Sequence, residues 1–322
     1  MISAHRQVLA DVSGWLEQGK TGWLCTITRT WGSSPRPVGS WLAVSESGDW
    51  SGSVSGGCLE EDLLRRCVQD RPEFPQLLKY GITEGDRNRF QLPCGGQIHL
   101  LVEPLVPHRA IGHVRELERA MSLREAVYRQ VCLTSGAMTV GICAHHRRGV
   151  ENAPEMVTHY LAPECRLLLI GAGEVAHHVH DFATAADFSV TLCEPRATFA
   201  DGWSYPHIPL VRELPDDLVV ASFNDPAVGI LALAHDPRID DMGLLAALGS
   251  EAFYVGAMGS AKTSRDRRER LLSLGVSPAD LARLHAPIGV NIPSKTPAEI
   301  AISIVADLIV ARHRLRAAPP SL

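Results

Sequence analysis

The sequence predicts an α/β protein in two parts: an N-terminal α+β domain with a mainly antiparallel sheet, then a C-terminal Rossmann-like domain with a doubly wound parallel sheet. Three observations predict it. The chain has 322 residues, and at roughly 100–200 residues per domain two domains are expected. Its first half carries short strand-like runs separated by Gly and Ser turns, the pattern of an antiparallel meander. From residue 166 onward, apolar strand-like runs alternate with helical segments, the grammar of a parallel sheet covered on both faces. The expected division is 1–150 for the first domain, 151–165 for a linker and 166–322 for the second.

Taken in order, residues 3–19 fit an amphipathic helix with Val8, Val12, Trp15 and Leu16 on one side. Strand-like runs follow at 23–28, 40–44 and 50–54. Residues 59–69 read as a helix, and 97–103 as a strand closed by Pro104. Ser122-Leu123-Arg124-Glu125 has the form of a capping box and predicts a short helix that starts there. Strands at 131–134 and 139–144 flank the turn Ser135-Gly136. The charged stretch 145–164, with Pro154 and Pro163, reads as irregular and holds the domain boundary. Beyond it, Leu167-Leu168-Leu169-Ile170 is a continuous apolar run, as in a strand buried on both faces. Further strands are expected at 190–193, 218–221, 229–233 and 252–255. Thr296-Pro297-Ala298-Glu299 supplies an N-cap, a first-turn proline and a capping-box glutamate for a last helix.

Lys and Arg total 31 against 36 Asp and Glu, a formal charge of −5. That balance argues against a nucleic-acid binder, which shows a basic face or stripe. The longest apolar candidate for a membrane helix, residues 300–311, is interrupted by Ser303 and Asp307 and falls short of the ~20 residues a span needs. The N-terminal residues lack the basic-then-apolar pattern of a signal peptide. The eight cysteines form no CxxC pair and are expected to be reduced thiols. The expected location is the cytoplasm.

Gly171-Ala172-Gly173-Glu174-Val175-Ala176 matches GxGxxA between a buried strand and a helix, the context that gives the motif meaning. Gly171 permits the tight turn, Gly173 lets backbone approach a pyrophosphate, and Ala176 allows close helix packing. The helix N-terminus offers free N–H groups to an anion. Glu194, at the end of the next strand, is placed to accept from a ribose hydroxyl, whereas Arg196 is placed to meet a phosphate. Two further loops fall beyond the carboxyl ends of strands, where such sheets bind ligands. One holds His235 and Asp236; the other is Gly256-Ala257-Met258-Gly259-Ser260. The basic run 265–270 reads as a solvated face. His177, His178 and His180 read as helix-surface histidines with no acidic or cysteine partner at metal-ligand spacing.

The first half has its own candidates. Pro35 and Pro37 stiffen the loop around Arg36, and a rigid arginine makes two-pronged anion contacts. Gly56-Gly57-Cys58 ends a strand and starts a helix, which exposes backbone N–H groups and favours the Cys58 thiolate. Cys94-Gly95-Gly96 gives a second thiol beside flexible backbone. Cys25, Cys132 and Cys143 sit in apolar strands and read as core.

These motifs, with Val102-Glu103-Pro104, Tyr254-Val255-Gly256 and Pro287-Ile288-Gly289, resemble a known family, the xanthine dehydrogenase accessory factors (XdhC/CoxI family). The resemblance spans nearly the whole chain. Three positions depart from the family pattern: Glu194 stands where Asp is usual, Ala234 where Thr is common, and Pro293 where Gly is usual. The resemblance implies a maturation factor rather than an enzyme. Such a protein binds molybdenum cofactor (molybdopterin, plain or as a dinucleotide) and protects its sulfur-bearing form. It helps insert the cofactor into a xanthine dehydrogenase-like or aldehyde oxidase-like molybdenum hydroxylase, with a cysteine desulfurase as a further partner. In that setting Arg36, Gly56, Gly57 and the Gly171 loop supply anion contacts, and Cys58 or Cys94 lies near the molybdenum or its sulfur. The alternatives are an NAD(P)-dependent oxidoreductase and a scaffold that docks a client without cofactor. A homodimer, the commonest oligomer, is the expected assembly.

Overall fold

Helix α1 (Ala4–Glu17) forms because Val8, Leu9, Val12 and Leu16 recur on one face and bury together. This computed structural model describes residues 4–32, 36–57, 59–82, 96–144 and 146–317. The chain divides between Pro163 and Glu164 into two compact units.

In the first unit, β1 (Gly22–Trp31), β2 (Trp41–Ser45), β3 (Trp50–Gly52), β4 (Gln76–Tyr80) and β5 (Gln97–Leu105) form an antiparallel sheet ordered β3-β2-β1-β5-β4. Pro104 does not close β5 as expected; it pairs with Trp23 inside the strand. The pairing with β4 has already ended at Val102. Pro104 therefore has a neighbouring strand on one side only, where a missing N–H is tolerated. Helix α2 (Glu60–Arg65) runs into a π-helical turn, Arg66–Asp70.

The helix expected to open at Ser122 is instead the end of α3 (Pro107–Ser122). Its first-turn proline and the buried stripe Ala110, Val114, Leu117 are the true signals. Arg124, at φ 59, breaks the helix just beyond. The second sheet contains β6 (Val127–Cys132), β7 (Met138–Ile142), β8 (Gly149–Asn152) and β9 (Met156–Leu161), ordered β7-β6-β9-β8. Residues 151–165, expected to be an irregular linker, thus hold most of a β-hairpin. Pro154 sits in its turn and Pro163 just after it, so both spare the ladder. A buried ion pair joins the two sheets: Arg129 Nη1 and Nη2 donate to the two Glu103 oxygens at 2.7 Å each. Arg129 Nε also donates to His113 Nε2 at 3.0 Å. Burial, reinforced by the Arg129 charge, pushes the His113 imidazole down to about 3.

In the second unit, β10 (Arg166–Ile170), β11 (Ser189–Cys193), β12 (Leu210–Val211), β13 (Val228–Ala232), β14 (Tyr254–Ala257) and β15 (Leu284–His285) form an all-parallel sheet ordered β12-β11-β10-β13-β14-β15. This is the doubly wound order whose direction reverses between its first and fourth strands. Alternate residues feed two cores. Leu168, Ile170 and Ile230 face one cluster, and Leu167, Leu169 and Leu231 the other.

The connecting helices are α4 (Glu174–Ala185), α5 (Ala197–Asp201), α6 (Pro215–Ser222), α7 (Pro237–Leu248), α8 (Ala261–Ser273), α9 (Pro278–Leu281) and α10 (Pro297–Ala317). The strand expected at 218–221 is α6. Pro215 at its start and Asp216 and Asp217 in its first turn outweigh the β-branched pair Val219-Val220. The capping box of α10 is present, with Glu299 Oε2 accepting from Thr296 N at 3.0 Å. No helix among the described residues is long and apolar enough to cross a membrane.

Candidate functional site

The carboxyl ends of β10 and β13 lie side by side where the strand order reverses, the place where such sheets bind ligands. Gly171 follows β10 at φ 108, and a Cβ there would stand 2.4 Å from Ala234 Cα, so the two loops touch through backbone. Gly173 is the N-cap of α4 in an extended conformation, and among the described residues, its chain neighbours aside, nothing lies within 4 Å of where its Cβ would be. No side chain among the described residues caps this helix. Ala176 is buried against the sheet, as the motif expects. The loop thus presents uncapped N–H groups beside open space.

Glu194 is fully buried. Its carboxylate accepts from Ala172 N at 2.9 Å, from Arg196 N at 3.0 Å, and from Arg196 Nε and Nη2 at 2.7 and 2.6 Å. Burial alone would raise its pKa, but the Arg196 and backbone hydrogen bonds hold it below the ordinary range. Glu194 therefore braces the glycine loop. Arg196 also lies over Phe199 at 4.0 Å and 3.6 Å from Asp236. Asp236 caps α7 by accepting from Arg238 N at 3.0 Å. His235 is exposed, with φ 55.

Behind these loops, Arg267 is 2 % exposed, which corrects the reading of residues 265–270 as a solvated face. Arg267 Nη2 donates to Asp240 Oδ2 at 2.9 Å, Nε to Asp241 Oδ1 at 3.3 Å, and Nη1 to Met258 O at 2.9 Å. Asp240 Oδ1 accepts from Ala234 N at 3.0 Å. One buried network therefore ties together the loops after β13 and β14. Burial pushes the Asp240 carboxyl up to about 6 against the pull of Arg267. Gly256 is not a loop residue. It lies inside β14, where a Cβ would stand 2.5 Å from Ile288 Cδ1, so its role is packing. Gly259 precedes the N-cap Ser260 of α8, against Thr263.

In the first unit, the loop before α2 closes on itself. Glu60 Oε1 accepts from Val54 N at 3.0 Å and Ser55 N at 2.9 Å. Gly56 N donates to Oε1 at 3.2 Å and Gly57 N to Oε2 at 2.8 Å. The Ser53 and Ser55 hydroxyls donate as well. Burial would raise the Glu60 carboxyl, yet these donors outweigh it and hold it at about 2. The N–H groups of Gly56 and Gly57, expected to meet an external anion, thus meet a carboxylate of the chain itself. Arg36 is exposed and Gly96 is buried. Cys58, Cys94 and Gly95 lie outside the described residues.

Residues 167–308 match the XdhC Rossmann domain, and residues 15–81 match the XdhC and CoxI family. Together the matches cover more than half of the sequence. The chain belongs to the XdhC and CoxI family. Its relatives include a probable xanthine dehydrogenase subunit of Bacillus subtilis (strain 168), 24 % identical, with 93 % of this chain and 96 % of the relative aligned. The molybdenum cofactor insertion chaperone PaoD of Escherichia coli (strain K12) is 27 % identical, with 96 % of this chain and 89 % of the relative aligned. Among solved structures, a xanthine dehydrogenase from Bacillus halodurans superposes with a TM-score of 0.71 at 25 % identity, covering 97 % of this chain and 98 % of the other.

In this XdhC and CoxI family chain, the described thiols divide by environment. Cys25 and Cys67 are buried together, and the hydrogen bond from Cys67, with burial, raises the Cys25 thiol well above its usual range. Cys132 and Cys143 are half-buried, not core. Hydrogen bonds from Ser135 and Thr134 lower the Cys132 thiol to about 7. Sequence reasoning missed Glu60, Asp240 and Arg267. Glu60, three residues after Gly57, was a readable signal, because a carboxylate at that distance reaches back to the loop's N–H groups.

Proposed function

We propose that this chain is an accessory factor that binds molybdenum cofactor and helps insert it into a xanthine dehydrogenase-like or aldehyde oxidase-like molybdenum hydroxylase. The observation that carries this reading is the uncapped, unobstructed N-terminus of α4 at the reversal of the parallel sheet. It occurs in a chain aligned over nearly its whole length with a relative named a molybdenum cofactor insertion chaperone. The cofactor is an anion with a phosphate end and a thiolate-bound metal. The phosphate end suits the α4 N–H groups and the space beside Gly173. Arg196 is held in that neighbourhood by Glu194 and Asp236. Cys58 and Cys94 are the thiols we assign to the molybdenum or its sulfur, with a cysteine desulfurase as the sulfur source and a homodimer as the working assembly.

The NAD(P) reading needs a carboxylate at the end of β11 to accept from a ribose hydroxyl. Glu194 already receives four hydrogen bonds from Ala172 and Arg196, which counts against that use. The test is anaerobic equilibrium binding of molybdopterin, its dinucleotide form, NAD and NADP to the purified full chain, followed by activation of an apo-hydroxylase. Molybdopterin binding with cofactor-dependent activation is expected. Failure of both molybdopterin forms to bind overturns the proposal. Retention of full binding and activation by both Cys58→Ala and Cys94→Ala overturns the assignment of the thiols.

A further inference from the structure

The helix that leaves the Gly171 loop carries a second constellation unrelated to the proposed cofactor role. His177 and Asp181 stand four apart on α4 and share one face, so the histidines do have an acidic partner at ligand spacing, contrary to the expectation from sequence. His207, from the segment between α5 and β12, meets them from outside the helix. His177 Nε2 lies 3.1 Å from Asp181 Oδ2, and His207 Nε2 lies 3.6 Å from Asp181 Oδ1. One ligand atom from each of the three residues falls within 4.8 Å of the other two.

We propose that His177, Asp181 and His207 bind a divalent transition-metal ion of the zinc class, which staples α4 to the segment before β12. Two imidazoles and a carboxylate are a donor set zinc accepts, and a tetrahedral ion with ligands at 2.0–2.1 Å needs ligand atoms about 3.3 Å apart. The observed separations of 3.1 and 3.6 Å run to the two different Asp181 oxygens, and with one atom taken from each residue the three ligands lie within 4.8 Å of one another. His207 is exposed, so small rotations of its side chain complete the closure.

The site is pre-oriented. The His177 ring stacks on Tyr205, with centroids 3.6 Å apart and planes at 12°. Its Nε2 is the ring nitrogen turned toward Asp181, while Nδ1 is buried with no hydrogen-bond partner among the described residues. His180 Nδ1 lies 2.9 Å from Asp181 Oδ1. An ionised carboxylate only accepts, so this nitrogen carries the proton and holds the carboxylate in place.

The experiment is zinc titration of the chelator-treated full chain by calorimetry, with thermal unfolding as the second readout. Wild type is expected to bind a zinc equivalent that raises the unfolding midpoint. His207→Ala and Asp181→Asn are expected to lose that equivalent. His180→Ala weakens it about 10-fold, as loss of a supporting partner does. His178→Ala and the Cys58→Ala/Cys94→Ala double variant are expected to retain it. Equal zinc uptake by wild type, His207→Ala and Asp181→Asn overturns the proposal. Loss of the equivalent in the cysteine double variant also overturns it, because thiols then hold the ion.

Discussion

In the loop before α2, Glu60 takes the N–H groups of Val54, Ser55, Gly56 and Gly57. In the loop before α4, Glu194 takes one, that of Ala172, and leaves Gly173 and the helix start uncapped. Both loops are glycine-rich, and both end a strand and open a helix. They differ in where the internal carboxylate comes from. Glu60 lies on the helix the loop opens and folds back over four successive N–H groups, those of residues 54–57. Glu194 ends a neighbouring strand and reaches the loop from the side. The first loop is a finished frame whose anion is part of the chain. The second is a frame whose helix-start N–H groups no described side chain takes. A glycine pair thus marks a turn, and only the surrounding acids decide whether that turn binds something else.

The largest effect expected from this comparison comes from the support behind the open loop. Arg267→Met leaves Asp240 buried without its cation, a loss of about 3–5 kcal/mol. Because Asp240 also holds Ala234 N, the loop beside Gly171 should loosen as well. Denaturant unfolding measures the loss, and proteolysis near residue 234 reports the loosening. A change below about 1 kcal/mol would mean that the network does not hold the loops.

Gly171→Ala comes next. The added Cβ would stand 2.4 Å from Ala234 Cα, in backbone at φ 108. Strain and overpacking together predict about 3 kcal/mol of destabilisation. The same measurement applies, and a near-neutral result would show that the two loops separate easily.

Glu60→Gln tests the closed loop. It removes the charge from a cluster of backbone donors and should cost about 2 kcal/mol at neutral pH. The pH dependence has a definite sign. The folded carboxyl is held at about 2, against an ordinary value of 4.5. Its contribution is therefore present above 4.5 and is lost as pH falls from there toward 2. The gap between wild type and Glu60→Gln should shrink over that window. A gap independent of pH would show that shape, not charge, fills the loop.

Much of this contrast was legible in part. The GxGxxA spacing identified the open loop because a strand, a tight turn and a helix must each leave a mark in sequence. The capping box at Thr296 identified α10 for the same reason. Gly-Gly itself reads identically whether its N–H groups meet a ligand or a side chain, so only the spacing of Glu60, three residues after Gly57, marked the closed loop. Arg267 was hidden because a charge run looks solvated until two aspartates from α7 are seen to surround it. The α6 segment was misread because Val219 and Val220 favour strands locally, whereas Pro215 and the first-turn acids act on the helix as a whole. The hairpin of β8 and β9 was lost because its prolines, which stand outside the paired residues, looked like breakers.

The smallest effect on stability, and the sharpest test of the open loop, is Gly173→Ala. Among the described residues, chain neighbours aside, no atom lies within 4 Å of the new Cβ, and the backbone there, at φ −135, is one any residue adopts. Stability should stay within about 0.5 kcal/mol of wild type. The Cβ would nevertheless project into the space that a phosphate needs in order to approach the α4 N–H groups. Molybdopterin affinity should fall about 10-fold or more with the unfolding midpoint unchanged, about 1.4 kcal/mol taken from binding alone. The matching substitution in the closed loop, Gly56→Ala, sits at φ 78 and should do the reverse, costing stability through backbone strain while leaving affinity alone. If both variants lose stability and keep affinity, the loop before α4 is a structural turn like its counterpart, and the anion site lies elsewhere.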